Sequence, residues 1–250
     1  MTPGAAPDHD DPAGGEAQTP GWLEQLVTAL PGVSGAQLSR FLPPPTGGRH
    51  SAVLVLFGEG PAGPDVLLIE RAHTLRAHAG QPAFPGGALD LEDGSPTGPG
   101  PVAAALREAR EEVGLDPASV RVLGQLPALF LPPSGFVVHP VVGYWHAPHP
   151  VAVVDEAEVA AVLRVPLAEL SDPARRLQVR HPSGWTGPAF EAGDLLVWGF
   201  TAGLLDKLLE LGGWALPWDT GRRRTLDPVT AALAARGASF PAGPPDDPVA

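Results

Sequence analysis

The run Val102-Ala-Ala-Ala-Leu-Arg-Glu-Ala-Arg-Glu-Glu-Val113, followed at once by Gly114, restricts the fold of this chain more than any other segment. Its residues are strong helix formers, and the glycine is a natural C-cap, so the spacing predicts a helix over 102–113. β-rich runs flank it. Residues 51–57 (SAVLVLF) and 65–69 (DVLLI) are separated by a Gly/Pro turn, and strand-like runs follow at 120–130 and 136–145. Trp22, Leu23, Leu26 and Leu30 are spaced for one face of a short helix that Pro31 ends. The mixed stretch 155–170 closes in VPLAEL, where Pro166 can start a short helix. Residues 195–198 (LLVW) read as a strand and 201–211 (TAGLLDKLLEL) as an amphipathic helix. A further helix is expected over 228–235, with Asp227 as N-cap and Pro228 at its first position. Strands and helices alternate without an internal repeat. That points to one α/β or α+β domain rather than a bundle or a sandwich.

Composition narrows the function. Lys plus Arg number 16 against 28 Asp plus Glu, a formal charge of −12. Such a chain is poorly suited to non-specific binding of nucleic acid or of an anionic membrane. There is no cysteine, so disulfides, thiolate metal sites and thiol nucleophiles are excluded. The longest apolar run is far short of the roughly 20 residues a membrane span needs. The first residues lack the basic start and apolar core of a signal peptide, so a cytoplasmic protein is expected. Gly (31) and Pro (32) are unevenly spread along the chain. Residues 1–20 read as a flexible acidic tail and 237–250 as a flexible C-terminal tail, leaving 21–236 as the folded domain.

The chemistry concentrates on the helix. Glu108, Glu111 and Glu112 stand three and four residues apart, so they share a helical face and repel one another. A hard divalent cation would remove that repulsion, and Mg²⁺ favours carboxylate oxygens together with substrate phosphates. The competing reading is a solvated face on which Arg107 and Arg110 offset the acids. Upstream lies Phe84-Pro85-Gly86-Gly87, then Asp90, Glu92 and Asp93. Paired glycines let a backbone approach a ligand and leave carbonyls free for a metal.

Glycines, an acid and an Arg-Glu-x-x-Glu-Glu helix together resemble the Nudix box. Residues Arg107 to Leu115 match the second half of that signature at every fixed position. The first half departs from it. Asp93 stands where Glu is usual, and thirteen residues, 94–106, precede Arg107 where seven are usual. The extra residues fall in GSPTGPGP, which reads as an inserted loop. The resemblance implies an α/β fold, an α/β/α sandwich with a mixed sheet, and hydrolysis of a nucleoside diphosphate linked to another group. It implies Mg²⁺ or Mn²⁺ held by Glu108 and Glu112, with Glu111 and Gly87 as further ligands, and Arg107 steadying the glutamates through ion pairs.

The segment from Leu67 to Gly87, with Arg71-Ala-His-Thr-Leu-Arg76-Ala-His78-Ala-Gly running into Gln-Pro-Ala-Phe-Pro-Gly-Gly, resembles the motif of the coenzyme A pyrophosphatase branch. Glu70 stands where a basic or polar residue is expected. Ser134-Gly135-Phe136 through Pro140-Val141-Val142-Gly143 and Val197-Trp198-Gly199-Phe200-Thr201-Ala202 are similar to later segments of those enzymes. The resemblance implies cleavage of coenzyme A, or a derivative, to 3′,5′-ADP and 4′-phosphopantetheine. ADP-ribose or NADH is the alternative substrate. Arg71, Arg76 and His78, with His73, are candidate donors to the substrate's anions. Gly135 and Phe136 would lie near the pantetheine arm. Glu111 or Glu158 would serve as the general base. The partner is thus a small nucleotide, and pairing of two copies as a homodimer is compatible with the family. Arg222-Arg223-Arg224 is expected to be a solvated turn.

Overall fold

The computed structural model describes residues 19–75, 78–132 and 134–227. The predicted helix at 228–235, the tail 237–250 and all but the end of the N-terminal tail lie outside the described residues. Helices α1 (Glu24–Ala29) and α2 (Gly35–Leu38) precede strands β1 (Arg49–Gly60), β2 (Gly63–Arg71), β3 (Pro82–Ala83) and β4 (Gly86–Ala88). Helix α3 (Gly100–Val113) follows, then β5 (Val120–Gln125), β6 (Leu129–Leu131), β7 (Phe136–Trp145) and β8 (Val159–Pro166). The chain continues through α4 (Leu167–Ser171), β9 (Arg176–Arg180), β10 (Thr186–Ala192), β11 (Leu195–Val197), α5 (Gly199–Leu211) and β12 (Arg223–Thr225).

The main sheet runs in the order β3-β2-β1-β7-β5, with β8 on β2, β4 on β1 and β6 on β7. β1 and β7 are parallel and their neighbours antiparallel, so the sheet is mixed. Alternation along each strand sorts the core into two layers. Leu54, Leu56, Leu67, Ile69 and Val141 pack against Ala104, Ala105, Ala109 and Val113 of α3. Val55, Phe57, Val66, Leu68 and Val142 face the other way, onto Leu23, Leu26 and Leu30 and onto Leu204, Leu205, Leu208 and Leu209 of α5. Helices therefore cover both faces. This explains why β1 and β2 read as unbroken apolar runs rather than alternating ones. Gly114 ends α3 in the left-handed conformation (φ 71°), and its N–H caps the carbonyls of Ala109 and Arg110.

Several boundaries moved. The run 120–130 is two strands: the Leu126 N–H still bonds the Pro140 carbonyl, but Pro127 has no N–H for the ladder. The first helix is wound as a 3₁₀ turn at each end of α1, with Pro31 inside the second. A second, four-stranded sheet (β11-β10-β9-β12) was not expected from sequence. It hangs on Arg176, whose guanidinium lies 4.9 Å from the Phe190 ring and 4.6 Å from that of Trp218 and pairs with Asp206 of α5. Arg222-Arg223-Arg224 is solvent-exposed, as expected, but leads into a strand rather than forming a turn. Arg222 is bound by Glu191 and the carbonyls of Ala174 and Arg176, and β12 runs parallel to β9. Among the described residues no helix is long and apolar enough to cross a membrane.

Leu56 is fully buried beneath α3. Leu56→Ala should lower the unfolding free energy by about 2–5 kcal/mol, as a lower urea midpoint with an unchanged slope.

Candidate active site

The site forms where α3 crosses β4. Val53 pairs with Gly86 and Ala52 with Gly87, so the glycine pair runs along the edge of β1. Gly86 has φ 155°, and a Cβ there would collide with the Ala52 carbonyl. A Cβ on Gly87 would occupy the space of the Glu108 carboxylate. The sequence needs two glycines here because the backbone and two carboxylates share one small volume.

Glu112 is 2 % exposed. The Gly86 N–H donates to its Oε2 at 2.9 Å, while Oε1 is buried without a hydrogen-bond partner. Burial pushes its carboxyl up to about 8, against the pull of the Gly86 N–H and the Arg71 charge. Burial also raises Glu108, and the neighbouring charge of Glu158 adds to the effect on both glutamates. Glu158 lies exposed in a turn before β8, where its carbonyl accepts from the Ala72 N–H (2.8 Å).

Arg107 knits the opposite side. Its Nε and Nη2 clamp Asp93 at 3.0 and 2.9 Å, and Nη2 also donates to the Ala88 carbonyl at 3.0 Å. Its Nη1 donates to Glu108 (3.0 Å) and Glu111 (3.2 Å). The pair holds Asp93 below the usual carboxylate range. The extra residues loop out in turns ahead of Gly100, so Asp93 still meets Arg107 across the longer spacing. Glu111 is 59 % exposed on its side chain and bonds Arg107.

No three acidic or imidazole side chains among the described residues form a ready-made metal cage. The groups nonetheless fit a hard divalent ion. Glu112 Oε1 lacks a partner, Glu108 lies against the bare Gly87 backbone, and all the donors are oxygen.

The segment after β2 is knitted to itself. Arg71 N–H bonds the Gln81 carbonyl (3.0 Å) and Gly80 N–H bonds the Arg71 carbonyl (3.0 Å). Glu70, unassigned by the sequence, pairs with His73 at 3.2 Å. His78 has φ 58°, unusual for a non-glycine residue, and its Nδ1 lies 3.0 Å from Gln81 Oε1. Burial lowers the His78 pKa, and Arg71 pushes in the same direction. Arg76 lies outside the described residues. Gly135 (φ 69°) and Phe136 open β7 beside β1: the Gly135 carbonyl accepts from Arg49 N–H, and the Arg49 guanidinium covers the Phe136 ring at 4.2 Å. Sequence reasoning missed Arg49 and the facing imidazoles of His50 and His139, 2.9 Å apart. No local pattern marks them, because only the parallel β1·β7 pairing joins them.

The raised Glu112 pKa has a definite sign. Between about 4.5 and about 8 the folded chain binds more protons than the unfolded one, so stability falls as pH rises through that interval. Melting the metal-free protein in EDTA should show this decline, and Glu112→Gln should flatten it. Asp93→Ala, which strips Arg107 of its fork partner, should cost about 1–3 kcal/mol in urea unfolding.

Comparison with known proteins gives the family. The sequence model of the NUDIX domain matches residues 48–184. A Citrobacter koseri protein named "Uncharacterized Nudix hydrolase NudL" is 40% identical over 209 residues, covering 76% of this chain and 93% of its own. Its Escherichia coli (strain K12) namesake is 40% identical over 176 residues, covering 66% and 83%. Solved structures are more remote. The Mycobacterium smegmatis ("M. Smegmatis") Nudix hydrolase RenU is 21% identical, covers 70% of this chain and 92% of its own, and has a TM-score of 0.44. The NUDIX domain of Shewanella oneidensis NrtR, complexed with ADP ribose, is 19% identical over 57% and 84%, with a TM-score of 0.38. On the domain match and the NudL relatives, the chain belongs to the Nudix hydrolase family and has the Nudix fold.

Proposed function

We propose that the protein hydrolyses the diphosphate of coenzyme A, or a close derivative, to 3′,5′-ADP and 4′-phosphopantetheine. One observation carries the hydrolytic reading: a buried glutamate, Glu112, with one oxygen seated on Gly86 N–H and the other unpartnered beside Glu108. Nudix hydrolases generally use divalent metal ions, and here Glu108 and Glu112, with Glu111 and the Gly87 carbonyl, would hold Mg²⁺ or Mn²⁺, which accept the same oxygens. Such an ion, when bound, neutralises the diphosphate and lowers the pKa of a water.

The chain's own groups do the rest. Arg107 keeps Glu108 and Glu111 on one side of the cleft and thereby limits their mutual repulsion. Glu158 is our choice of proton acceptor for the attacking water, with Glu111 the alternative. The charge of Glu158 acts on both Glu108 and Glu112, whereas Glu111, equally exposed, is engaged by Arg107. Water oxygen bonds to one phosphorus, the bridging P–O bond breaks, and its oxygen leaves on the other phosphate. The coenzyme A assignment is supported by the 67–87 motif, with Arg76 and His78 toward the substrate's phosphates and Gly135 and Phe136 toward its pantetheine arm.

Coenzyme A, ADP-ribose and NADH should be incubated in parallel with Mg²⁺, Mn²⁺ or EDTA, and the products resolved by ion exchange. The expected outcome is metal-dependent 3′,5′-ADP from coenzyme A, well above cleavage of the others. Preference for ADP-ribose would overturn the substrate. Glu112→Gln should lower turnover by orders of magnitude with an unaltered circular dichroism spectrum. A folded variant of near wild-type rate would remove the metal assignment.

A further inference from the structure

His50 stands near the start of β1, on the α3 face in line with Ala52 and Leu54, and His139 stands on the same face of β7, in line with Val141. Ala52 pairs with His139 on one side and with Gly87 on the other. The imidazoles therefore lie on the carboxylate side of the sheet, two strand spacings, or about 10 Å of backbone, from Gly87. His50 Nδ1 and His139 Nε2 are 2.9 Å apart, with the rings inclined by 33°. Both residues are half-buried, so solvent reaches the pair. Among the described residues no third acidic or imidazole side chain completes a group with them. Burial, with His50 adding to the effect, pushes His139 down to about 4, so its ring is neutral near pH 7 and keeps a lone pair to offer. The spacing suits an ion. Two nitrogens bound at about 2.0–2.1 Å and at right angles are about 2.9 Å apart, whereas a tetrahedral ion needs about 3.3 Å. Without an ion, one N–H bridges the rings. Moving that proton to the outer nitrogen of its own ring frees both inner lone pairs with no change of charge.

We propose that His50 and His139 form a cation site separate from the carboxylates, which takes one imidazole-seeking transition ion, Ni²⁺ or Cu²⁺, with water in its remaining positions. The oxygens of Glu108 and Glu112 suit Mg²⁺ or Mn²⁺, whereas two neutral imidazoles offer Mg²⁺ little. An ion held by the histidines fastens β1 to β7 beside the strand segment that pairs with Gly87. The site stands whether or not coenzyme A is the substrate.

Calorimetry of the tag-free protein at pH 7.5, in excess Mg²⁺, should show one Ni²⁺ bound per chain. His50→Gln and His139→Gln should each weaken that binding by more than the roughly tenfold that losing a ligand's supporting contact costs. Glu112→Gln, which alters only the carboxylates, should leave it unchanged. Cu²⁺ on the wild type should show hyperfine splitting from two imidazole nitrogens by electron paramagnetic resonance, a readout that needs no variant to fold. Saturating Ni²⁺ should raise the melting temperature by about 5 °C, and the rise should vanish in either histidine variant. Binding that survives both substitutions, that Mg²⁺ displaces or that Glu112→Gln abolishes would overturn the proposal. So would a Cu²⁺ spectrum with fewer than two nitrogens, or no Ni²⁺ bound at all.

Discussion

The close approach of α3 to the β1–β4 edge is the constraint on which the molecule turns. Ala104, Ala105 and Ala109 let the helix lie low on the sheet, and Gly86 and Gly87 offer no Cβ to keep it away. With larger residues at either set of positions the helix would ride higher and Glu112 would reach water. Instead Glu112 is driven under the helix, where a single peptide N–H is its hydrogen-bond partner. Fold and chemistry are thus one packing decision: the contact that completes the core also desolvates the carboxylate.

Desolvation carries an electrostatic cost at Glu108 and Glu112, to which the neighbouring Glu158 charge adds. The cations are arranged around that cost. Arg107 gathers Asp93, Glu108 and Glu111 on the solvent side, and Arg71 acts on Glu112 from the β2 side. A divalent ion would supply the positive charge that two arginines leave short. The acidity of the whole chain is then no obstacle to an anionic substrate, since local charge near the carboxylates decides the attraction.

Much of this was legible along the chain. Arg107 through Gly114 announced both the helix and its acidic face, and the capping glycine set where the helix stops. The long buried strands β1, β2 and β7 were legible because fully covered strands are continuously apolar. The small sheet was legible only in β11, the LLVW run. β9 carries Arg176 and β10 carries Gly187 and Pro188, residues that argue against strands until Asp206, Phe190 and Trp218 close around the guanidinium. The grip of Asp93 on Arg107 was equally hidden, because the longer spacer changes the count along the chain and leaves the distance in space unchanged.

What the sequence determined alone was therefore local: which segments are helix or strand, where glycine is obligatory, and which acids share a helical face. Those properties follow from spacing and backbone sterics within a few residues. Tertiary structure decided which acid is buried, which arginine faces inward, and that Glu158 joins a helix more than forty residues away. Burial and charge act through space, and only the assembled sheet, with its parallel β1·β7 pair and its bulge at Ala160, sets those distances.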